Sequence, residues 1–181
     1  STDFSSAAGS ATLMAKSTQI RLAPSLIVTT GGDFAVYGKG GLVLPAGGST
    51  TAEYRDNTNI LGSVEQDFES KGATSIGFQG AIGVNYKLSD NLSIFGELSA
   101  VNLRIKSASR VMTKYSFASI DLLASADAYS KETNYVDELN SSSNNSSYNP
   151  TGFSNSRAKE ELASTTNFNG MFINIGVKYS L

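Results

Sequence analysis

The amino-acid sequence predicts an all-β protein, an antiparallel up-and-down β-barrel of the transmembrane type. Three observations support this fold class. Apolar residues recur at every second position in several segments, which is the period of a strand with one apolar face. No apolar run approaches the roughly 20 residues that a transmembrane helix needs. Short turns alternate with long polar stretches along the chain, an asymmetry that is typical of bacterial membrane barrels.

About five segments carry the strand pattern. They span residues 19–30, 34–45, 75–88, 92 to about 105, and 169–181. In the last segment an apolar face opposes glycine, asparagine, lysine and serine, and this face consists of Ile173, Ile175, Val177, Tyr179 and Leu181. A membrane strand needs this division, because one face meets lipid and the other meets the lumen. We therefore predict that residues 169–181 form the C-terminal assembly strand of the barrel.

Two places in the chain depart from this simple pattern. The fourth segment loses its alternation after Ala100, where Asn102 and Arg104 fall on the apolar face. This change predicts either a bulge or the point where the strand leaves the membrane. Residues 9–16 supply, as an alternative, an additional short strand.

The lengths of the connections predict how the chain is oriented. Short turns fall at residues 30–33 and 89–91, and long polar stretches fall at residues 46–74 and 106–166. If the last strand runs inward, both short turns lie in the periplasm and both long stretches are outer loops. Residues 1–18 are then an outer loop or the tip of an upward strand.

Residues 19–181 are predicted to be the C-terminal part of a barrel of about eight strands in all. The remaining strands are expected from the same precursor, upstream of Ser1, or from another chain. The first residues have no positive charge and no apolar core, so they are not a secretory signal. We expect that such a signal has been removed or that this chain begins inside a longer precursor.

The second long polar stretch contains a low-complexity run of asparagine and serine at residues 140–147. Its composition predicts a mobile loop tip that is too polar to pack a core. We expect short helices or a hairpin above the membrane at residues 119–138 and 157–162.

Four stretches resemble a known family. They are Gln19-Ile20-Arg21-Leu22-Ala23-Pro24, Tyr37-Gly38-Lys39-Gly40-Gly41-Leu42, Gly80-Ala81-Ile82-Gly83-Val84-Asn85-Tyr86 and Ile175-Gly176-Val177-Lys178-Tyr179. These patterns are similar to those of the small outer-membrane β-barrel proteins of Bacteroidota, which share the architecture of OmpX and of the OmpA membrane domain. The resemblance implies a barrel in the bacterial outer membrane, and its motifs carry no known chemistry.

Composition argues against most catalytic functions. The chain of 181 residues has no cysteine and no histidine, so it lacks the usual thiolate nucleophile, general base and commonest metal ligand. The known enzymes with an outer-membrane barrel, which are lipases, lipid A modifiers and omptin-like proteases, rely on histidine. The net charge of −2, with basic residues scattered singly, also argues against a nucleic-acid partner. We therefore predict no enzyme activity, no cofactor and no metal site.

Glycine-rich segments on two strands invite a comparison with phosphate-binding loops. Residues 38–41 lack the Walker spacing, and Gly77, Gly80 and Gly83 are not followed by a predicted helix. Glycines that let a small barrel curve and fill its narrow lumen are the preferred interpretation.

The predicted lumen face carries a group of charged residues. They are Arg21, Lys39, Lys87, Glu97 and Lys178. Because a buried charge is tolerated when it is paired, we expect Glu97 to bond a lysine or arginine of a neighbouring strand. A plug of salt bridges is favoured over an ion path, because the interior of an eight-stranded barrel is just wide enough to be filled by side chains.

The second outer loop offers two further candidates. Its tyrosines supply rigid, amphipathic contact area and predict a protein-binding surface formed by Tyr115, Tyr129, Tyr135 and Tyr148. Its carboxylates, at Asp121, Asp127, Glu132, Asp137 and Glu138, match no EF-hand spacing, so a solvated loop is favoured over a calcium site.

The resulting functional hypothesis is a non-enzymatic outer-membrane barrel that presents its outer loops for structural, adhesive or complex-forming roles. Its expected partners are membrane lipid and a protein of an outer-membrane complex. The main alternative is a narrow pore, or a barrel subunit of a larger transport or secretion assembly. A soluble β-sandwich or lipocalin-like binder is a third class, and it predicts extraction without detergent.

Overall fold

The structure of the protein, a computed structural model, describes residues 2–6, 9–57 and 61–179. It is all-β, with 66% of residues in strands and 4% in helices, and its strands form one large, mostly antiparallel sheet. Among the described residues this sheet is not closed. The all-β antiparallel prediction is thus confirmed.

In the described residues thirteen strands, numbered in chain order, make up this sheet. They are β1 Thr2–Ser6, β2 Gly9–Leu22, β3 Ser25–Thr29, β4 Phe34–Asp56, β5 Val64–Gly72, β6 Gly77–Lys87, β7 Leu92–Asn102, β8 Arg104–Phe117, β9 Ile120–Asp121, β10 Glu132–Val136, β11 Lys159–Leu162, β12 Thr165–Asn167 and β13 Gly170–Tyr179. A 3-10 helix, Leu123–Ser125, and a helix of four residues, α1 Ala128–Lys131, lie between β9 and β10. In the described part of the chain, neither helix is long and apolar enough to cross a membrane.

The chain folds as two compact units. The first unit, called the polar unit below, consists of residues 1–19, 48–73 and 106–165. The second, called the alternating unit, consists of residues 20–47, 74–105 and 166–181. The long strand β4 contributes its first part to the alternating unit and its last part to the polar unit.

The alternating unit contains the segments in which the sequence predicted strands. Its strands are hydrogen-bonded in the order β3, β4, β6, β7 and β13, which is the chain order, and every neighbouring pair is antiparallel. The first predicted segment is interrupted at Ala23 and Pro24, between β2 and β3. Proline lacks the N–H that a ladder requires, which explains this break.

The two predicted short turns close hairpins of this unit. The amide of Thr30 donates to the carbonyl of Val36 over 2.9 Å, and Leu88 donates to Leu92 over 2.8 Å. In the first turn Gly32 has φ = 103°, a left-handed conformation that favours glycine.

The small apolar core of the alternating unit lies at one end of its strands. It consists of Val43, Leu103 and Ile105, with Val101 and Phe168 packed against them. Leu103 lies between β7 and β8, and its amide donates to Oδ1 of Asn169 over 2.9 Å. The strand is therefore interrupted close to the position where the sequence loses its alternation.

The polar unit shows that much of the two predicted outer loops is β-structure. Its strands follow the order β11, β10, β8, β5, β4, β2 and β1, and the pair β10 and β11 is parallel. Residues 9–16, the alternative strand of the sequence analysis, belong to β2, and residues 2–6 form β1. An alternation of apolar residues could not reveal strand β5, because β5 alternates charged residues with uncharged ones.

The asparagine and serine run at residues 140–147 was predicted to be too polar to pack a core, and that part of the prediction is wrong. Ser143, Asn144 and Asn145 are all buried. The expected helix within residues 119–138 is limited to the 3-10 helix and α1, whose N-cap Asp127 accepts from the amide of Ser130 over 2.8 Å. Residues 159–162 form strand β11, which pairs with β10 in a parallel arrangement.

Candidate functional site

One face of the alternating unit is covered by exposed apolar side chains. They are Leu26, Phe34, Val36, Leu42, Phe78, Ile82, Val84, Tyr86, Ile94, Leu98, Met171, Ile173, Ile175, Val177 and Tyr179, and between 40% and 85% of each is exposed. We call this set the apolar face. Soluble monomers rarely expose contiguous apolar patches of this kind unless the patch meets a membrane or a partner.

The register of the sheet makes the apolar face continuous. Ile82 pairs with Leu98, and Leu98 pairs with Ile173, so these three side chains form a row across β6, β7 and β13. Ile173 and Ile175 of the predicted assembly strand are 80% and 85% exposed. The fifth member of that predicted group, Leu181, lies outside the described residues.

The opposite face of the same sheet carries a charged cluster centred on Glu97. Nζ of Lys39 lies 3.0 and 3.1 Å from the two carboxylate oxygens. The Tyr37 hydroxyl donates to the carboxylate over 3.0 Å, and the Asn174 amide donates over 3.1 Å. Only 9% of the Glu97 side chain is exposed. A shielded carboxylate with three donors is well compensated, so this group ties β4, β7 and β13 together.

A glycine on the intervening strand makes this cluster possible. Gly83 lies between Tyr37 and Glu97 in the register. A Cβ atom at this position would lie 2.4 Å from Cζ of the tyrosine ring. The absence of a side chain on β6 therefore lets the tyrosine reach across it to Glu97.

The five charged residues predicted for the lumen do not form one cluster. Lys39 on β4 and Glu97 on β7 form an ion pair, although β6 lies between these two strands. Lys87 pairs with Asp90 at 2.9 Å, the Arg21 guanidinium lies 5.4 Å from the centre of the Phe168 ring, and Lys178 is exposed. Tyr37 and Asn174 share a face with Glu97, but the sequence analysis did not identify them as its partners. Cross-strand register was the missing information.

The polar unit contains a ladder of ion pairs built around Arg55. This guanidinium lies 2.5 Å from Asp67, 3.8 Å from Glu53 and 4.0 Å from Glu65. Lys114 on β8 bonds Glu65 over 2.5 Å. The hydrogen bond from Lys114 lowers the pKa of Glu65 below its usual range, and the bond to Asp67 raises the pKa of Arg55. These charges cross-link β4, β5 and β8.

A second polar centre lies at the residues predicted as a mobile tip. The two N–H groups of the Asn144 side-chain amide are shared among the carbonyls of Ser154, Arg157 and Ala158, which lie 3.0, 3.0 and 2.8 Å from Nδ2. Its Oδ1 accepts from the amide of Ser154 over 2.6 Å. The backbone amide of Asn144 also donates to the Glu160 carboxylate over 3.0 Å. Asn144 is one of two fully buried side chains among the described residues, and its hydrogen bonds hold residues 140–160 together.

The four predicted contact tyrosines are not equivalent. Tyr148 is exposed, whereas Tyr115, Tyr129 and Tyr135 are more deeply buried. The Tyr129 ring lies 5.2 Å from Phe153, and its hydroxyl donates to Ser146 over 3.1 Å. Tyr129 therefore contributes to the internal packing of the polar unit.

The acidic residues of the same region are used locally. Asp121 accepts from the amide of Leu123 over 2.9 Å, and Asp127 caps α1. Asp137 pairs with Lys106, while Glu132 and Glu138 are exposed. Among the residues that the structure describes, no group of three carboxylates is arranged to hold a metal ion.

No family model, curated protein or solved structure matches the chain. The site is therefore defined by its own geometry. An exposed apolar face lies on one side of a five-stranded sheet, and a hydrogen-bonded charged cluster lies on the other.

Proposed function

We propose that the chain is part of a non-enzymatic β-barrel of the bacterial outer membrane, and that it presents the polar unit outside the cell for structural, adhesive or complex-forming roles. The observation that carries this proposal is the exposure of the apolar face. In a soluble sandwich the same side chains would pack against a second layer, but in the described chain they are open.

The length of the apolar face supports a membrane location. On β6, Ile76 and Leu88 just beyond the two strand ends extend the alternating apolar positions, and both residues are more than half exposed. With a rise of about 3.4 Å per residue and a tilt of about 40°, these twelve steps span about 30 Å, enough for an apolar band of about 25 Å. Phe34, Tyr86 and Tyr179 lie toward the short-turn end, where aromatic side chains suit a membrane interface.

The connectivity supports an assignment of the two ends. The chain passes from one unit to the other near residues 19, 47, 73, 105 and 165, which all lie at one end of the antiparallel strands. The other end carries the two short turns. We assign the short turns to the periplasm and the polar unit to the cell exterior.

The narrow-pore alternative rests on one observation, the charged side chains on the face opposite the apolar face. Lys39 and Asn174 both donate to Glu97 there, which fits a plug of paired groups better than an open ion path. Planar bilayer recordings distinguish the two. A silent bilayer supports the plug, whereas steady channels that disappear in Glu97→Gln support the pore.

Two valines provide the test of membrane location. Val84 on the apolar face is 42% exposed, and Val111 in the polar unit is 43% exposed. The chain has no cysteine, so Val84→Cys and Val111→Cys each introduce a single thiol. In outer-membrane vesicles a water-soluble maleimide is expected to label Val111→Cys and to leave Val84→Cys unmodified until the membrane is dissolved. Equal labelling of both in intact vesicles, or extraction without detergent, contradicts the proposal.

A further inference from the structure

We infer that the free edge of β13 pairs with an additional antiparallel strand. This strand does not come from a second copy of this chain. That strand belongs to a set of three, each with one apolar face and one small or polar face. This inference rests on the proposed membrane barrel, and it specifies what closes that barrel.

The edge itself has the properties of a strand that needs a neighbour. β13 pairs with β7 over ten positions, from Gly170 opposite Val101 to Tyr179 opposite Leu92. No strand of the described chain pairs with its other edge. β13 contains a single charged residue, Lys178, and no proline. Exposed edges are normally protected by charges or kept short, so a long apolar edge with one charge is expected to pair with another strand.

The polar unit offers a contrast within the same chain. Its edge strand β11 has four residues, and three of them, Lys159, Glu160 and Glu161, are charged. This edge is protected in the usual way. The chain thus protects one edge of its sheet and leaves β13 ready to pair.

The direction of the strands fixes how many must be added. β3, β4, β6, β7 and β13 alternate in direction, so the first and the fifth run the same way. A closed ring in which all neighbours are antiparallel needs an even number of strands. The missing set must therefore be odd in number, and three strands give the eight of the smallest membrane barrels.

A second copy of the chain does not meet this requirement. Copies related by rotation about the barrel axis place β13 beside the partner's first strand, which gives a parallel pair. A two-fold axis across the strands gives an antiparallel β13 pair but inverts one copy. Because the chain enters the polar unit at only one end of the strands, that arrangement sends the two polar units to opposite membrane faces. Insertion from one side of the membrane does not produce it.

The test compares the tagged assembly, isolated from membranes in detergent, with the 181-residue chain refolded alone in the same detergent. Native mass spectrometry of the assembly is expected to show one copy of the 19.0 kDa sequence per particle, with additional polypeptide mass. Alternate amides of β13 are expected to exchange at least about tenfold more slowly in the assembly than in the chain alone, because a new ladder protects them. The amides of β7, which pair with described strands, serve as the internal control.

Two results overturn the inference without touching the membrane proposal. One is a membrane-bound particle whose mass is an integer multiple of this chain alone. The other is a disulfide-linked homodimer of Ile175→Cys, with Leu162→Cys on the β11 edge as the matched control that stays monomeric. A chain that leaves the membrane without detergent refutes the proposed function itself. Failure of the inference and failure of the function are thus separated.

Discussion

Ile82 and Ile120 form a matched pair that tests whether the apolar face lies in lipid. Both are isoleucines, and 64% of each residue is exposed. Ile82 lies on β6 in the alternating unit, whereas Ile120 lies on β9 in the polar unit. The perturbation is the same in both cases, a substitution by lysine.

The expected magnitude follows from the position of Ile82 on its strand. It lies midway between Ile76 and Leu88, about 16 Å from each after allowance for a tilt of about 40°. In the proposed barrel this position is near the middle of the bilayer, where a lysine facing lipid lowers the free energy of unfolding by about 2–4 kcal/mol. A lysine at an exposed position in water changes the free energy of unfolding by less than about 0.5 kcal/mol. We therefore expect a difference of about 3 kcal/mol between Ile82→Lys and Ile120→Lys.

Reversible urea unfolding of the assembly in lipid vesicles measures this difference, with circular dichroism as the signal. For a slope of about 2 kcal/mol/M, Ile82→Lys is expected to lower the midpoint by about 1.5 M, whereas Ile120→Lys leaves it within about 0.3 M of the parent. Equal midpoints for the two variants would show that both isoleucines face water, and the membrane assignment would then be wrong.

Three further substitutions test the hydrogen bonds of Asn144, the ion pairs around Arg55 and the packing of Tyr37 across Gly83. Gly83→Ala is expected to lower the free energy of unfolding in urea by about 1–3 kcal/mol, because the new Cβ overlaps the Tyr37 ring. Gly96→Ala places its methyl group in open space and is expected to leave the free energy of unfolding nearly unchanged. Equal effects of the two variants would contradict the packing of Tyr37 across Gly83. Asn144→Ala is expected to lower the free energy of unfolding by about 2–4 kcal/mol and to speed amide exchange in residues 140–160. The exposed Asn134→Ala is the control. Unchanged exchange would show that Asn144 does not hold this segment. Glu65 has a pKa below its ordinary 4.5 in the folded chain, so its stabilisation is present above that pH and is lost as pH falls through the folded pKa. Glu65→Gln is accordingly expected to flatten the loss of stability as pH falls below 4.5, and an unchanged profile in urea titrations would refute the Lys114 bond.

The alternating unit was largely predictable from the sequence because its physics is local. Side chains alternate across a strand, so the apolar face on β6 and β13 can be read from the residues alone. The short turns join β3 to β4 and β6 to β7 as antiparallel neighbours, and the predicted up-and-down topology places all five strands in chain order. The partners of Glu97 were not readable, because they depend on register and on the missing side chain of Gly83.

The polar unit was not predictable for the opposite reason. Its strands are stabilised by cross-strand charges such as Arg55 with Asp67, and these charges leave no apolar period. The run around Asn144 has the composition of a disordered segment, yet its amide finds three carbonyls that lie 10 to 14 residues away. Composition alone does not reveal such partners.

The make-up of the buried residues in the polar unit has a consequence for how it responds to temperature. In its described part the buried residues are Met112, Ser116, Thr133, Ser143, Asn144 and Asn145, and only the first is apolar. Exposure of apolar surface raises the heat capacity on unfolding, and exposure of polar surface lowers it. This unit should therefore unfold with a small heat-capacity change for its size. Its stability curve should be flat, so that cooling weakens it little, in contrast to domains that depend on an oily interior.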